Sequence, residues 1–300
     1  MRERLRKLTP PRLWTAARRA RNRARKLGYV RERWPRPIGT RPPIGLAICA
    51  IFRDEARYLA EWVTFHRLQG VERFFLYDNR SSDDWQAVLA PEIKAGIVEA
   101  LQWPFAYGQV GAYEHCLEQH REEARWIAFI DVDEFLFSPS GRPLPEILRG
   151  FDTQAGVVVN WRIYGANGYR QPPEGLVTEN YLLRAPDDYP RNRWVKSIVN
   201  PRSVLGILSP HHFHLHTAPV DEHGVPARQW MRPFATAELL RINHYYAKSE
   251  EGFKEKVKRR PVNPDPGLAR AKLPPDAVED DLIMQFDRRL KEMLSSRAAA

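Results

Sequence analysis

Residues 46–135 alternate between short apolar runs and helix-like segments, and this pattern constrains the fold more than any other feature of the sequence. Continuous apolar runs are typical of strands that are covered on both faces of a parallel sheet. Helical patterns separate four such runs, which are LAICAIF (46–52), VERFFLYDN (71–79), GIVEAL (96–101) and ARWIAFIDVDEF (124–135). The sequence therefore predicts an α/β fold with a mostly parallel central sheet and helices on both faces.

The chain after about residue 166 has a different composition, with frequent Pro, Gly and Asn and shorter apolar runs. KSIVNP (196–201) and HHFHLH (211–216) are predicted to belong to a small antiparallel region. Helices are predicted over 249–260 and around 278–294. We therefore divide the chain into three parts, which are a basic N-terminal arm with a Pro-rich linker (1–43), a folded domain (44–260) and a C-terminal tail with one helix (261–300).

The positive charge of the chain is concentrated in its N-terminal arm. Residues 1–43 hold fifteen Lys or Arg and two acids, whereas the rest of the chain holds 32 basic and 35 acidic residues. A nucleic-acid-binding domain carries its basic stripe on a folded surface, so we expect no specific nucleic acid partner. The mixture of apolar and basic residues in the arm is typical of segments that lie on anionic membrane surfaces, and a solvated basic arm has the same composition.

The cysteines and the apolar segments indicate in which cellular compartment the protein is expected. Cys49 and Cys116 give neither a zinc-ligand spacing nor a disulfide framework. No apolar stretch has the length of a membrane-spanning helix, and the N-terminus lacks the apolar core of a secretory signal. We therefore expect a cytoplasmic protein whose residues 1–43 are available for peripheral association with the inner membrane.

An acidic turn follows the fourth predicted strand. In AFIDVDEF (128–135), Asp131, Asp133 and Glu134 come directly after the apolar run. Side chains alternate along an extended chain, so Asp131 and Asp133 are predicted to point to the same side, with Val132 turned toward the core. Ligands of parallel α/β sheets bind beyond the carboxyl ends of the strands, which is where these two carboxylates are expected.

Two neighbouring carboxylates repel each other unless a cation lies between them. Mn²⁺ and Mg²⁺ prefer oxygen ligands and also bridge the oxygens of a diphosphate. A Lewis acid at this place stabilises a nucleoside diphosphate as it leaves. Two acids separated by one residue occur often by chance, but their position after a buried strand favours a metal site over a solvated turn.

Five segments between residues 45 and 260 form a more specific pattern than the acidic turn alone. They are AIFRDEARYLAEWVTFHRLQGVERFFLYDNRSSDD (50–84), WIAFIDVDEFLF (126–137), NWRIYGANGY (160–169), WVKSIVNP (194–201) and INHYYAKSEEGFKEKVKRR (242–260). In these segments the chain resembles glycosyltransferase family 92 and its bacterial relatives in the family 2-like group. The resemblance implies a type A glycosyltransferase fold, a nucleotide-sugar donor, a divalent metal that is usually manganese, and a catalytic domain at 44–260.

The resemblance also implies roles for residues at the strand ends. It makes Asp131 and Asp133 the ligands of the metal and the diphosphate. The residues that follow the first two strands are expected to bind the nucleoside, and they are Phe52, Arg53, Glu55, Asp78 and Asn79. For Glu55 the alternative is a charge that stabilises the start of a helix.

Two lysines and a histidine complete the predicted donor site. Lys196 in WVKSIV and Lys248 in HYYAKS are candidates to offset the charge of a departing diphosphate, the alternative being solvated surface charges. Type A enzymes often add a histidine from the C-terminal half to the metal, and His244 is the first choice. His212 and His214 are its rivals, since alternate residues of a strand share one face.

The resemblance suggests inversion in a single displacement, in which a carboxylate deprotonates the acceptor hydroxyl. Asp221, Glu222 and Glu179 are the candidate bases, and the sequence does not choose among them. The predicted function is transfer of a sugar from a nucleotide sugar, with UDP as the expected nucleotide, to a glycan or lipid-linked acceptor. Two alternatives stay open: another metal-dependent nucleotidyl or phosphoryl transferase, although a GxxxxGK[ST] loop is missing, and a nucleic-acid-binding protein that acts through its basic arm.

Overall fold

The computed structural model describes residues 43–106, 108–227, 231–259 and 273–298, so the predictions for the arm at 1–42 lie outside the described residues. The strands are β1 (Ile44–Phe52), β2 (Arg73–Asp78), β3 (Val98–Gln102), β4 (Ala124–Phe129), β5 (Glu134–Phe137), β6 (Gly156–Ile163), β7 (Leu183–Arg184), β8 (Val195–Val199), β9 (Val204–Ser209), β10 (His212–Leu215), β11 (Arg241–His244) and β12 (Val278–Glu279). The α-helices are α1 (Ala56–Leu68), α2 (Trp85–Lys94), α3 (Gln109–His120), α4 (Leu144–Leu148), α5 (Val177–Asn180), α6 (Glu250–Arg259) and α7 (Asp287–Ala298).

Eight of these strands form one sheet in the order β3-β2-β1-β4-β8-β6-β11-β5. Its first half is parallel, as predicted, because β1 pairs in parallel with both β2 and β4, and β3 pairs in parallel with β2. Leu46 and Ile48 of β1 belong to the core beneath α1 and α2. Ala47 and Cys49, which alternate with them, belong to the core beneath α3. Helices therefore cover both faces of this half, which confirms the predicted fold class.

The second half of the sheet is mixed. Strand β8 runs antiparallel between β4 and β6. Strand β11 is parallel to β6 and antiparallel to β5, which forms the edge. The segment KSIVNP thus forms a strand of the central sheet, whereas the histidine-rich run at 211–216 contributes to a separate β9–β10 hairpin.

The fourth predicted strand, at 124–135, is two strands in the structure. Strand β4 ends at Phe129 and β5 begins at Glu134. Between them the chain forms a turn, in which the backbone N–H of Glu134 donates to the carbonyl oxygen of Asp131 at 3.0 Å. The prediction of an extended chain through Asp131 and Asp133 is therefore wrong, because the backbone turns there and β5 pairs with β11 instead of continuing β4.

The C-terminal residues pack into the main core. A 3₁₀-helix at Leu282–Phe286 leads into α7, and the Phe286 ring meets the Phe65 ring of α1 edge-on with centroids 5.6 Å apart. Leu290 of α7 is fully buried in the same core. The helix predicted around 278–294 thus begins at Asp287, and the division at residue 261 stays a prediction. No helix in the described ranges is long and apolar enough to cross a membrane.

Candidate active site

The acidic turn lies at the edge of the sheet where the parallel strands end. Phe52 and Asp78, the last residues of β1 and β2, are paired with each other, and Phe129 ends β4. Strand β8 begins at this edge, since it is antiparallel to β4. His244 ends β11 and pairs with Glu134, which starts β5. The sheet therefore brings residues from five separate parts of the sequence to one edge.

Asp131 is held by groups from two secondary-structure elements. The Lys196 ammonium of β8 donates to its Oδ2 at 2.8 Å, and the Gln109 amide at the start of α3 donates to its Oδ1 at 2.7 Å. Burial raises the pKa of Asp131, but the Lys196 charge and hydrogen bond outweigh it, so the net pKa is lowered. Burial likewise lowers the pKa of Lys196, but Asp131 and Glu134 raise it more strongly. Both members of this pair are therefore charged.

Asp133 has different partners from Asp131. The Lys256 ammonium of α6 donates to its Oδ2, and the His244 Nε2 lies 3.5 Å from the same oxygen. Burial raises the pKa of Asp133, but Lys256 and His244 together hold it well below the usual range. The backbone carbonyl of Asp133 also accepts from the Tyr245 N–H at 2.8 Å, which ties the turn to the end of β11.

Glu134 is a third carboxylate of this cluster, and the sequence reasoning did not assign it a role. Its side chain has no exposure, and its Oε2 accepts from the backbone N–H of Asp131 at 2.9 Å. Its Oε1 accepts no hydrogen bond, although the Lys196 ammonium is 3.6 Å away. Burial raises the pKa of Glu134 well above its ordinary value. Its place directly after the Asp131–Asp133 pair was the signal that could have identified it.

Three residues of the cluster fit a divalent cation. Asp133, Glu134 and His244 each offer one ligand atom, and these atoms all lie within 4.8 Å of one another. Glu134 Oε1 and His244 Nδ1 are buried polar atoms without a hydrogen-bond partner. Two carboxylate oxygens and an imidazole nitrogen are a suitable donor set for Mn²⁺. The structure thus brings the predicted ligands Asp133 and His244 together, and it pairs Asp131 with Lys196 instead.

The predicted nucleoside residues lie along the ends of β1 and β2. Asp78 is buried, its Oδ1 accepts from the Ser81 N–H at 2.9 Å, and its Oδ2 has no hydrogen-bond partner. The Asn79 amide donates to the carbonyl oxygens of Trp103 and Phe105 at 2.7 and 3.0 Å, so it holds the loop after β3. Asp78 therefore has a buried acceptor oxygen that no donor in the described residues uses.

The segment between β1 and α1 contains the other predicted nucleoside residues. Phe52 is buried, and the Trp85 ring packs edge-on against it at 5.3 Å. Arg53 forms an ion pair with Asp54 at 3.5 Å. Glu55 precedes α1 and lies 3.6 Å from the Lys248 ammonium. The structure therefore brings Glu55 and Lys248 together, and Lys248 also lies over the Tyr58 ring at 4.1 Å.

The rival histidines lie in the β9–β10 hairpin. His212 is half-buried and His214 is exposed. In the described ranges, the group of side chains that could hold a metal contains neither of them. Their neighbour His211 packs edge-on against Trp161 at 5.3 Å, and the Trp161 ring lies 4.4 Å from the His244 ring. The hairpin thus reaches the cluster through His211, which the sequence reasoning did not single out.

The three candidate bases all accept backbone hydrogen bonds. Glu222 accepts from the backbone N–H groups of 238–240 at 2.7–2.9 Å, just before β11 begins, whereas His244 is at the other end of that strand. Asp221 accepts from the backbone of 223 and 225 and from the Arg232 side chain at 2.6 Å. Glu179 pairs with Lys291 of α7. Within the described residues, none of the hydrogen bonds and ion pairs found for these carboxylates joins them to the acidic cluster.

This mixed α/β sheet, with a parallel first half and an acidic turn after its fourth strand, has the arrangement of the type A glycosyltransferase fold. The chain belongs to glycosyltransferase family 92, whose sequence profile matches residues 43–269. The family predicted from the five sequence segments is thereby confirmed.

Individual relatives agree with this family. A glycosyltransferase family 92 protein of Ricinus communis is 34% identical over 229 residues, which cover 73% of this chain and 38% of that protein. The galactan beta-1,4-galactosyltransferase GALS1 of Arabidopsis thaliana is 30% identical over 106 residues, which cover 32% of this chain and 21% of that protein. The chain thus spans less than half the length of either relative.

The chain also has a match among solved structures. It is the mannosyltransferase PcManGT from Pyrobaculum calidifontis in complex with GDP-Man and Mn²⁺. The sequences are 12% identical, the match covers 96% of this chain and 85% of that chain, and the TM-score is 0.39.

Proposed function

We propose that this chain is a metal-dependent glycosyltransferase that moves a sugar from a nucleotide sugar to an acceptor hydroxyl. The observation that carries the proposal is the buried cluster of Asp133, Glu134 and His244 at the carboxyl edge of a family 92 domain, in which Glu134 Oε1 and His244 Nδ1 have no hydrogen-bond partner. Buried carboxylates are costly without a cation, and a divalent ion satisfies several of them at once.

The donor side of the reaction follows from this cluster. Asp133, Glu134 and His244 would hold Mn²⁺ or Mg²⁺, and the ion when bound supplies the positive charge that stabilises a leaving nucleoside diphosphate. The Lys196 ammonium keeps Asp131 ionised beside the site, since the two are 2.8 Å apart. In this proposal Asp131 orients the donor while Lys196 neutralises the surplus negative charge of the cluster.

The nucleoside is proposed to bind along the ends of β1 and β2. The Asp78 Oδ2 is a buried acceptor without a donor, which suits an N–H of the base or a hydroxyl of the ribose. Phe52, Arg53 and Glu55 lie after the neighbouring strand, and Asn79 shapes the pocket by holding the loop after β3. Lys248, which is paired with Glu55, is proposed to contribute positive charge near the donor.

The identity of the substrates is part of the same proposal. A UDP-sugar is the proposed donor, and galactose is the first sugar to test because one relative is named a galactosyltransferase. The proposed acceptor is a glycan or a lipid-linked glycan. The sugar is proposed to be transferred with inversion at its anomeric carbon. Deprotonation by Asp221, Glu222 or Glu179 stays a prediction from the sequence, as do the cytoplasmic location and the binding of residues 1–43 to an anionic membrane surface.

The test of this function is release of nucleoside diphosphate from a panel of UDP-sugars in the presence and absence of manganese. Replacement of Asp133 by alanine should lower the manganese-stimulated rate by about 100-fold or more, because a ligand of the cation is lost. Asp188→Ala, at an exposed position, is the matched control and should keep the wild-type rate.

Two outcomes would contradict the proposal. The first is an Asp133→Ala variant that remains folded and responds to manganese as the wild type does. The second is release of a sugar 1-phosphate or of a nucleoside monophosphate in place of nucleoside diphosphate, which would indicate a nucleotidyl or phosphoryl transferase instead.

A further inference from the structure

Lys256 lies beside the proposed metal site, and the sequence reasoning gave it no role. Its ammonium donates to Oδ2 of Asp133 and to the carbonyl oxygen of Tyr246, the latter at 3.2 Å. It also lies over the Tyr246 ring, 4.5 Å from the centroid. The Asp133 oxygen that it contacts is the one that faces His244. Lys256 therefore contacts a ligand oxygen of the site that the proposed function assigns to a divalent ion.

The charges of the cluster show why an ammonium is found there. Asp131, Asp133 and Glu134 are three carboxyl groups in one turn, and among the described residues Lys196 and Lys256 form ion pairs with them. A buried carboxylate without a counter-charge is strongly destabilised, so the protein on its own needs both cations. A divalent ion brings two positive charges to the place where Lys256 brings one, and it would repel the ammonium.

The two lysines differ in how firmly they are held. The Lys196 side chain is 1% exposed and extends from the middle of the sheet, whereas the Lys256 side chain is 23% exposed and extends from a surface helix. A lysine ammonium on a four-carbon stem can change partners by rotation of its own side chain. Of the two lysines, Lys256 is therefore the one whose ammonium can move away from the carboxylates.

The helix that carries Lys256 is anchored at its start. The backbone N–H groups of Glu250 and Glu251 donate to the carbonyl oxygens of Tyr169 and Arg170 at 3.0 Å. Phe253 is buried in a small cluster with Tyr246. Release of the Lys256 side chain thus requires no loss of these contacts, and α6 can stay in place while the ammonium moves.

We propose that Lys256 is a placeholder cation, by which we mean a counter-ion that a metal can replace. Its ammonium pairs with the Asp133 carboxylate in the metal-free protein and would leave this carboxylate when a divalent ion binds. The freed ammonium would then be available to bind the diphosphate of the donor, as a compact positive charge suits phosphate oxygens. The inference rests on the proposed function, because it requires the metal site at Asp133, Glu134 and His244. In addition to that function, the Lys256 ammonium would compete with the metal for Asp133 and would give the donor a second contact.

The test is Mn²⁺ binding to the full-length protein without nucleotide, measured from the electron paramagnetic resonance signal of the free ion. Lys256→Met should bind Mn²⁺ roughly tenfold more tightly than the wild type, since the competing ammonium is gone. Lys254→Met removes an exposed lysine of the same helix and should leave the affinity unchanged. Lys256→Gln serves as the second variant should the methionine variant fail to fold.

A second measurement follows the freed ammonium. With Mn²⁺ saturating, UDP should bind at least about threefold more weakly to Lys256→Met than to the wild type or to Lys254→Met, because one charge on the diphosphate is missing. In the wild type, acetylation of Lys256 by acetic anhydride, measured by mass spectrometry relative to Lys254, should increase when Mn²⁺ alone is added.

The outcomes separate this inference from the function on which it rests. If Lys256→Met and the wild type bind Mn²⁺ equally while Asp133→Asn loses the ion, the metal site stands and the placeholder role is refuted. If no variant binds Mn²⁺, with or without UDP, both proposals fail. A wild-type protein that turns over donor without added metal and loses this activity in Lys256→Met would show instead that the lysine permanently replaces the ion.

Discussion

The two halves of the central sheet are built differently and supply different parts of the site. Strands β1 to β4 follow one another through α1, α2 and α3 and are all parallel, so their contacts join consecutive elements. Strands β8, β6, β11 and β5 pair out of sequence order and in both directions. Asp131 and Asp133 lie in the turn that leaves the first half and Glu134 begins β5, whereas Lys196, His244 and Lys256 come from later parts of the chain.

Because of this difference, the charge balance of the site depends on how the two halves of the sheet pack together. The acidic turn is a local feature, but each of its carboxylates is compensated by a residue distant in sequence. The halves are also joined away from the site, where Glu61 of α1 accepts from the backbone N–H groups of Val177 and Thr178 at 2.7 and 3.0 Å. Variants that disconnect the halves should therefore have larger effects than variants within one half.

The largest effect is expected for Lys196, which joins β8 to the acidic turn. Lys196→Met removes a buried ammonium and leaves the half-buried Asp131 and the fully buried Glu134 without their cation, so it should lower the free energy of unfolding by about 3–5 kcal/mol. Lys256→Met removes the counter-charge of the buried Asp133, but the ammonium is partly exposed and water can take its place, so the loss should be smaller, about 1–2 kcal/mol. Urea denaturation of both variants in metal-free buffer measures the difference. Equal losses would contradict the distinction between a fixed and an exchangeable lysine.

The second effect is a pH dependence at the other junction of the halves. Burial raises the pKa of Glu61 to about 7, although hydrogen bonds from Val177 and Thr178 partly offset it. The folded protein therefore binds this proton more tightly than the unfolded chain does, so the stability that Glu61 contributes is present below pH 4.5 and is lost as the pH rises toward 7.

We expect this loss to be about 2–3 kcal/mol between pH 4.5 and 7.5. Glu61→Gln cannot titrate, so its free energy of unfolding should fall less steeply over the same range. The slopes of the two proteins against pH, from urea denaturation, are the measurement. Parallel slopes would show that the pKa of Glu61 is the same in the folded protein and in the unfolded chain, which would contradict the prediction.

The smallest effect is expected within the second half, at Glu222. Glu222→Gln replaces a carboxylate that accepts three backbone hydrogen bonds with an amide that has one acceptor oxygen, and should lower the free energy of unfolding by about 1–2 kcal/mol. Its turnover per folded molecule should remain within about threefold of the wild type if the role of Glu222 is to fix the loop before β11. A loss of turnover of about 100-fold with unchanged stability would instead identify it as the catalytic base.

Much of the first half could be predicted from the sequence. The strand–helix alternation located β1 to β4 to within a few residues, and the acids after the fourth run located the turn. The end of β4 was missed, because FIDVDEFLF is apolar and acidic throughout and no local signal separates a strand that continues from a turn followed by a new strand. The contact of Lys256 with Asp133 was missed because the same helix also carries Lys254 and Lys258, and the spacing of the three lysines does not distinguish them.

Three properties follow from the sequence alone, namely the order of the elements in the parallel half, the position of the acidic turn and membership in family 92. Each of them depends on residues that are close in the chain or on motifs in a fixed order. The tertiary structure decided which cation meets which carboxylate. Lys196 and Asp131 are 65 residues apart, and Lys256 and Asp133 are 123 residues apart. Such pairs form only when non-consecutive strands and helices pack together, and the packing depends on burial across the whole domain, which no local pattern records.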